Sequence, residues 1–136
     1  MALIYKGVKR RNPSDQSAPY LWYPSLAKIG TTTEKDLSIK IADETTLNAK
    51  EADMAVSQML KVIPTDLLDG KTVQLGDLGY FYLTVKTKKG AGADSEDKVS
   101  AEQIENVMLR FMPSKTFREK LNKAQYKNLK TIGKNR

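Results

Sequence analysis

Two complete sets of helix punctuation stand back to back between Thr33 and Gly70. They restrict the fold more than any other feature of the chain. Thr33 is a good N-cap, and Asp36, three residues on, can return a hydrogen bond to it. Leu37 and Ile41 follow one turn apart, with Ala42 beside them. This pattern predicts a helix from Thr33 to about Thr45-Thr46. A second helix begins at once, with Asn48 as N-cap and Glu51 as the reciprocal acid. Its apolar positions are Ala49, Ala52, Val56, Met59, Ile63 and Leu67, at helical and nearly heptad spacing. Pro64 removes one hydrogen bond, so a kink is expected there. Asp69-Gly70 ends the helix, because glycine takes the left-handed stop without strain. The result is a helical hairpin.

Strands follow the hairpin. Lys71 to Leu75 alternates, with Val73 and Leu75 on one face, and Gly76-Asp77-Leu78-Gly79 contains a turn. Tyr80 to Lys86 places Phe81, Leu83 and Val85 on one face and Tyr80, Tyr82 and Thr84 on the other. Residues 87–98 are rich in Gly, Ala, Ser and charge, and a segment of that composition is expected to be a mobile excursion. Ser100 and Gln103 have capping-box spacing, so a single helical turn is expected before the strand Asn106 to Met112. Pro113-Ser114 opens a last helix, with Phe117, Leu121 and Ala124 on one face. Ahead of the hairpin, residues 2–9 read as a strand and residues 12–19 as a loop. Tyr20-Leu21-Trp22-Tyr23 reads as an apolar knot braced by Pro19 and Pro24, packing the extension onto the core. The domain expectation is an extension over 1–32, a main domain over 33–124 and a Lys-rich tail over 125–136.

Composition removes much of catalysis. The chain has 136 residues and neither cysteine nor histidine. A Cys/His zinc site, a thiol nucleophile, a Ser-His-Asp triad and a disulfide framework are excluded. No apolar run approaches the length of a membrane span. The opening Met-Ala-Leu-Ile-Tyr-Lys-Gly lacks a signal-peptide layout, so a cytoplasmic location is the expectation. The net charge of +7 is unevenly spread. It is +4 over 1–33, −4 over 34–70, zero over 71–113 and +7 over 114–136. Basic ends around a body without excess positive charge fit a polyanion partner, nucleic acid or an anionic membrane surface; a solubilising surface with a basic tail has the same signature.

Three motifs fail on inspection. Gly70-Lys71-Thr72 looks like the end of a phosphate-binding loop, but Thr65 stands where the first glycine belongs, and a helix precedes it where a strand is needed. Asp94, Glu96 and Asp97 lack the glycine and terminal glutamate of a calcium loop. Asp43-Glu44 and Glu51/Asp53 are paired acids of the kind exposed helix faces carry routinely.

The order of elements, with several short motifs, resembles the HU/IHF family of bacterial nucleoid DNA-binding proteins, in its N-terminally extended subgroup. Glu34-Lys35-Asp36-Leu37 and Ile41-Ala42-Asp43-Glu44-Thr45-Thr46-Leu47 look like the family's first helix and turn. Leu67-Leu68-Asp69-Gly70-Lys71-Thr72-Val73-Gln74-Leu75 is similar to its Leu-x-x-Gly-x-x-Val-x-Leu run. Gly79-Tyr80-Phe81 resembles the end of its Gly-Phe-Gly-x-Phe turn, and Phe111-Met112-Pro113-Ser114-Lys115-Thr116-Phe117 its Phe-x-Pro-Gly-Lys-x-Leu segment.

The resemblance implies an α+β fold with a helical-hairpin base, an antiparallel sheet with an extended β-arm, and a C-terminal helix. It also implies an intertwined homodimer whose arms reach around double-stranded DNA. The large apolar surface of the predicted strands independently calls for a second copy. Carried over by position, the basic ascending arm falls on Lys86 and Lys89 with Lys88 between them, and a phosphate-contacting lysine on Lys115. Lys98, Arg110 and Arg118 are further candidates because they flank the returning strand and the last helix. The chain also departs from the family pattern. Thr84 stands at an arginine position, Glu34 at a lysine position, Thr46 and Ser114 at glycine positions, and the tip Gly90-Ala91-Gly92-Ala93-Asp94 lacks the wedge proline that kinks DNA.

Outside the motif region, Lys6, Lys9, Arg10 and Arg11 either reach phosphate or protect a strand edge. Tyr20, Trp22 and Tyr23 either pack or stack on unpaired bases. Lys120, Lys123, Lys127, Lys130 and Lys134 recur at helical spacing and would form one cationic stripe if the last helix continued. The functional expectation is a nonenzymatic architectural protein of the nucleoid, needing no cofactor or metal and no small-molecule substrate. It would hold duplex DNA through phosphates with little sequence preference. The competing readings are a protein-interaction scaffold and, more remotely, attachment to an anionic membrane.

Overall fold

Both predicted caps close as the local chemistry demands. In a computed structural model describing residues 1–132, helix α1 runs Glu34–Glu44 and helix α2 runs Ala49–Leu68. Thr33 Oγ1 accepts from the Asp36 N–H at 3.2 Å, and the Asp36 carboxylate accepts from the Thr33 N–H at 3.0 Å. These bonds, the backbone one first, hold the Asp36 carboxyl below its ordinary value. Asn48 and Glu51 repeat the arrangement at 2.8 and 3.0 Å. Helix α2 continues through Pro64 for one further turn and stops at Gly70, which takes φ +87°.

The described residues divide into two compact units, one of residues 32–119 and the other of residues 1–31 and 120–132. In the first, α1 packs on α2, and a three-stranded antiparallel sheet follows in the order β3-β4-β5. Its strands are β3 (Val73–Leu75), β4 (Gly79–Thr87) and β5 (Ile104–Pro113). The register pairs Phe81 with Phe111, Leu83 with Leu109 and Val85 with Val107, so one face is apolar throughout. The other face carries Tyr80, Tyr82, Thr84 and Lys86 opposite Met112, Arg110, Met108 and Asn106. The core is thin. Among the described hydrophobic residues only Ala52, Val56 and Leu67 are buried. Val85, Val107 and Leu109 on the apolar sheet face remain 54, 54 and 60 % exposed.

The excursion between β4 and β5 spans 88–103 and contains two short 3-10 turns, Glu96–Lys98 and Ala101–Gln103. The second is the turn expected from Ser100 and Gln103, and the Gln103 side chain accepts from the Ser100 N–H at 2.8 Å. The excursion is more closed than its composition predicts. Gln103 Nε2 donates to the Ala91 carbonyl, and the Lys88 N–H donates to the Gln103 carbonyl at 2.8 Å. Polar backbone and one amide side chain supply the anchors that the missing apolar residues cannot.

The other unit differs most from expectation. The last helix, α3, covers Lys115–Asn122 and ends there. The chain then forms β6 (Tyr126–Asn128), which pairs in parallel with β1 (Leu3–Arg10), and a short helix α4 (Leu129–Ile132). Lys120, Lys123, Lys127 and Lys130 therefore do not share one helical stripe, and Lys134 lies outside the described residues. A strand edge on β1 outcompetes helix continuation, with the Leu3 N–H donating to the Gln125 carbonyl at 2.8 Å. The aromatic knot is a strand as well. β2 (Leu21–Leu26) pairs antiparallel with β1, from Arg10↔Leu21 to Tyr5↔Leu26, giving the sheet order β2-β1-β6. Pro24 is tolerated because β2 is an edge strand, where a missing N–H interrupts no inner ladder.

Candidate nucleic-acid interface

The seven cations singled out from sequence are all exposed, and the sheet distributes them between its two ends. Lys86 lies near the far end of β4. There Lys86 pairs with Asn106 and Thr87 with Ile104, leaving Glu105 as an extra residue in a bulge. The Glu105 carboxylate sits 3.4 Å from Lys86 Nζ, with both side chains about half exposed. Such a surface pair is worth about 0–1 kcal/mol, so Lys86 is readily available to a phosphate. Lys88 and Lys89 follow directly, in a turn closed by the Ala91 N–H donating to the Lys88 carbonyl at 3.0 Å. Lys98 stands 3.9 Å from Asp94 in the first 3-10 turn.

Arg110 lies midway along β5, opposite Tyr82 and on the same face as Lys86. Lys115 and Arg118 sit at the near end, one helical turn apart at the start of α3. Ser114 fixes that start. Its hydroxyl accepts from the Phe117 N–H at 3.0 Å and donates to the Asp77 carbonyl, and its N–H donates to the Leu78 carbonyl at 3.1 Å. Serine at this position thus ties the helix to the β3–β4 turn while leaving the N–H groups of Lys115 and Thr116 facing outward from the cap. The two groups of cations are separated by the length of β4, about 26 Å at the usual rise per residue. Thr84, at the position where an arginine was expected, is half-buried on the same face, its Oγ1 without a hydrogen-bond partner in the structure.

The β2-β1-β6 sheet carries a second arrangement. Alternation along β1 and β2 puts Tyr5, Gly7 and Lys9 on one face with Trp22, Pro24 and Leu26. Tyr126 joins that face through its pairing with Leu3. Trp22 is 69 % exposed and Tyr126 63 %. The indole lies over Gly7, with Cε3 3.6 Å from where a Cβ would stand. Lys9 Nζ and the Arg11 guanidinium stand 5.1 and 4.9 Å from the centre of the Tyr20 ring, within cation–π range. Tyr23 falls on the opposite face, with Val8. An open cleft of about 620 Å³ is lined by Tyr5, Pro24, Ser25, Leu26 and Tyr126. Sequence reading noticed the basic run and the aromatic run separately and missed Tyr5 and Tyr126. The period-two spacing of Tyr20, Trp22, Pro24 and Leu26 was the available signal.

Charge divides between the units in an unexpected way. Residues 1–31 and 120–132 hold nine basic residues against Asp15 alone, a formal +8. Residues 32–119 hold twelve basic and fifteen acidic residues, a formal −3. The two basic ends of the sequence are one body in three dimensions. No helix among the described residues is long and apolar enough to cross a membrane.

A family model described as "HU domain fused to wHTH, Ig, or Glycine-rich motif", HU-HIG, matches residues 1–128. No curated protein matches the sequence significantly. Among solved structures, the chain is similar to a candidate bacterial DNA-binding protein from Bacteroides vulgatus ATCC 8482, with 14 % identity and a TM-score of 0.58. The match covers 94 % of this chain and 48 % of that one. The present chain therefore spans about half the length of the structure it resembles, and the likeness is one of fold.

Proposed function

The chain belongs to the HU-HIG family, and from that premise we propose that it is an architectural DNA-binding protein acting as a homodimer. It holds duplex DNA through phosphates and catalyses no reaction. The observation that carries this reading is the placement of exposed cations at both ends of the β4–β5 ribbon on an HU-type scaffold. Lys86, Lys88 and Lys89 stand at one end, Lys115 and Arg118 at the other, and Arg110 between them. The outward N–H groups at the start of α3 favour an anion beside Lys115. Contacts of this kind position a protein on DNA without reading bases, so sequence preference is weak. The arm tip offers no proline wedge, so bending is modest. Such a protein would work in the nucleoid.

The dimer follows from the thin core. A hairpin and sheet with so much exposed apolar surface gain most by covering it with a second copy. A scaffold reading competes, favoured by acids beside the candidate cations, Asp94 against Lys98 in the excursion and Glu105 against Lys86 at the end of the strands.

A salt titration separates the two. Six phosphate contacts per dimer, from Lys86, Lys89 and Lys115 of each copy, give a log–log slope of affinity on salt near roughly −5 for duplex DNA. Replacing Lys86 and Lys89 with alanine should flatten that slope and weaken unrelated duplexes alike. Salt-independent affinity, or an unchanged double variant, would leave the scaffold as the better account.

A further inference from the structure

We infer that the β2-β1-β6 sheet is a second nucleic-acid site that takes single-stranded DNA, with unpaired bases stacking on Trp22 and Tyr126 and phosphates held by Lys9 and Arg11. This goes beyond the duplex reading and uses none of its residues. Three observations carry it.

The first is the charge of the unit, a formal +8 that complements a polyanion. The second is the shared face. Exposed apolar side chains gathered into one patch mark an interaction site, whereas single ones do not. Trp22 and Tyr126 present such rings on the same side of one sheet, where cations are also found. Stacking platforms interleaved with basic residues are what a single strand needs, because every base offers a π-face and the backbone offers a charge at each step. Duplex DNA keeps its bases stacked inside and cannot use the rings. The third is preorganisation. Tyr20 holds Lys9 and Arg11 by its ring, so less side-chain freedom is lost when a phosphate arrives. The cleft bounded by Tyr5, Pro24, Leu26 and Tyr126 has the volume of a small-ligand site and is mostly apolar in lining, suited to one base turned inward. The central strand is about 23 Å long from Leu3 to Arg10 at the usual rise, enough for several nucleotides.

Trp22 is the chain's single tryptophan, so tryptophan emission, excited selectively over the tyrosines, reports on this face alone. The full chain is titrated with an oligo(dT) of about 15 nucleotides and, separately, with a duplex of equal length. The expected result is saturable quenching of Trp22 by oligo(dT). Trp22→Ala and Tyr126→Ala should each weaken oligo(dT) binding about tenfold, measured by anisotropy of a labelled strand. Trp22→Phe should restore most of the loss, which separates stacking from a folding defect. The double Lys86/Lys89 variant should bind oligo(dT) as the wild type does, so failure of the duplex reading leaves this result standing. Unchanged fluorescence at saturating oligo(dT), wild-type oligo(dT) affinity in Trp22→Ala, or displacement of oligo(dT) by equimolar duplex would overturn the inference.

Discussion

At Gly79 the backbone takes φ +145°, a conformation that side chains other than hydrogen rarely allow. Gly79 also pairs with Pro113 at the end of the β4–β5 ribbon away from the excursion. A Cβ there would collide with the Met112 carbonyl oxygen and stand 2.9 Å from Pro113 Cα, both of them backbone. Neither can move without disturbing the start of α3, which Ser114 anchors to the same turn. Gly79→Ala is therefore expected to cost about 3 kcal/mol, from a strained dihedral together with a clash. Urea unfolding measures it, with Gly92→Ala as control, because a Cβ at Gly92 meets nothing within 4 Å. A Gly79→Ala midpoint equal to the control would contradict the argument. The role of Gly79 was only half legible in sequence. The glycine-containing turn could be read from residues 76–79, but the approach of Met112 from β5 is a contact between distant segments.

At the scale of elements, β6 decides how the chain ends are used. Its three residues pair with Leu3, Ile4 and Tyr5, giving β1 a neighbour on each side. Without β6, β1 and β2 would be a lone hairpin, which is marginal in water. Truncation after Ala124 is expected to loosen the whole β1–β2 ribbon. Amide exchange at Leu3, which donates to Gln125, should become fast, while Phe81 in the other sheet keeps its protection. Retained protection at Leu3 in the truncated chain would show that β6 is dispensable. This element was hidden in the sequence by its lysines. Their spacing of three and four reads as a helix stripe, whereas three residues of strand show no clear period.

At the scale of the molecule, exposed apolar surface is the dominant fact. The face made by Val85, Val107 and Leu109 is more than half open, and helix positions such as Leu37, Ile39, Met54 and Leu68 are open too. Full burial of such a side chain is worth about 1.5–3 kcal/mol, and covering the remaining half or more of each gains about 1 kcal/mol, so pairing two copies is a driving force when many are covered together. Sedimentation at micromolar concentration should give about twice the chain mass, and the thermal midpoint should fall on dilution. Leu109→Asp, placing a charge in the middle of that face, should shift the mass to that of one chain. A stable, concentration-independent monomer would remove the dimer from the proposal.

The sequence by itself determined the helical hairpin, its two caps, its stop at Gly70 and the alternation of β4 and β5. These depend on hydrogen bonds spanning three residues and on side-chain periods within one segment, so the local string contains the information. The tertiary structure decided which strands meet. A backbone edge accepts any extended partner, and nothing in residues 1–10 or 126–128 says that they will pair. That pairing turned two basic ends into one body of formal +8. The antiparallel pairing of β1 with β2 sorted the aromatic run onto two faces, leaving Trp22 beside Lys9 and Tyr23 behind them. Charge and aromatic content were visible from composition, but their convergence on one surface depended on a parallel pairing between opposite ends of the chain.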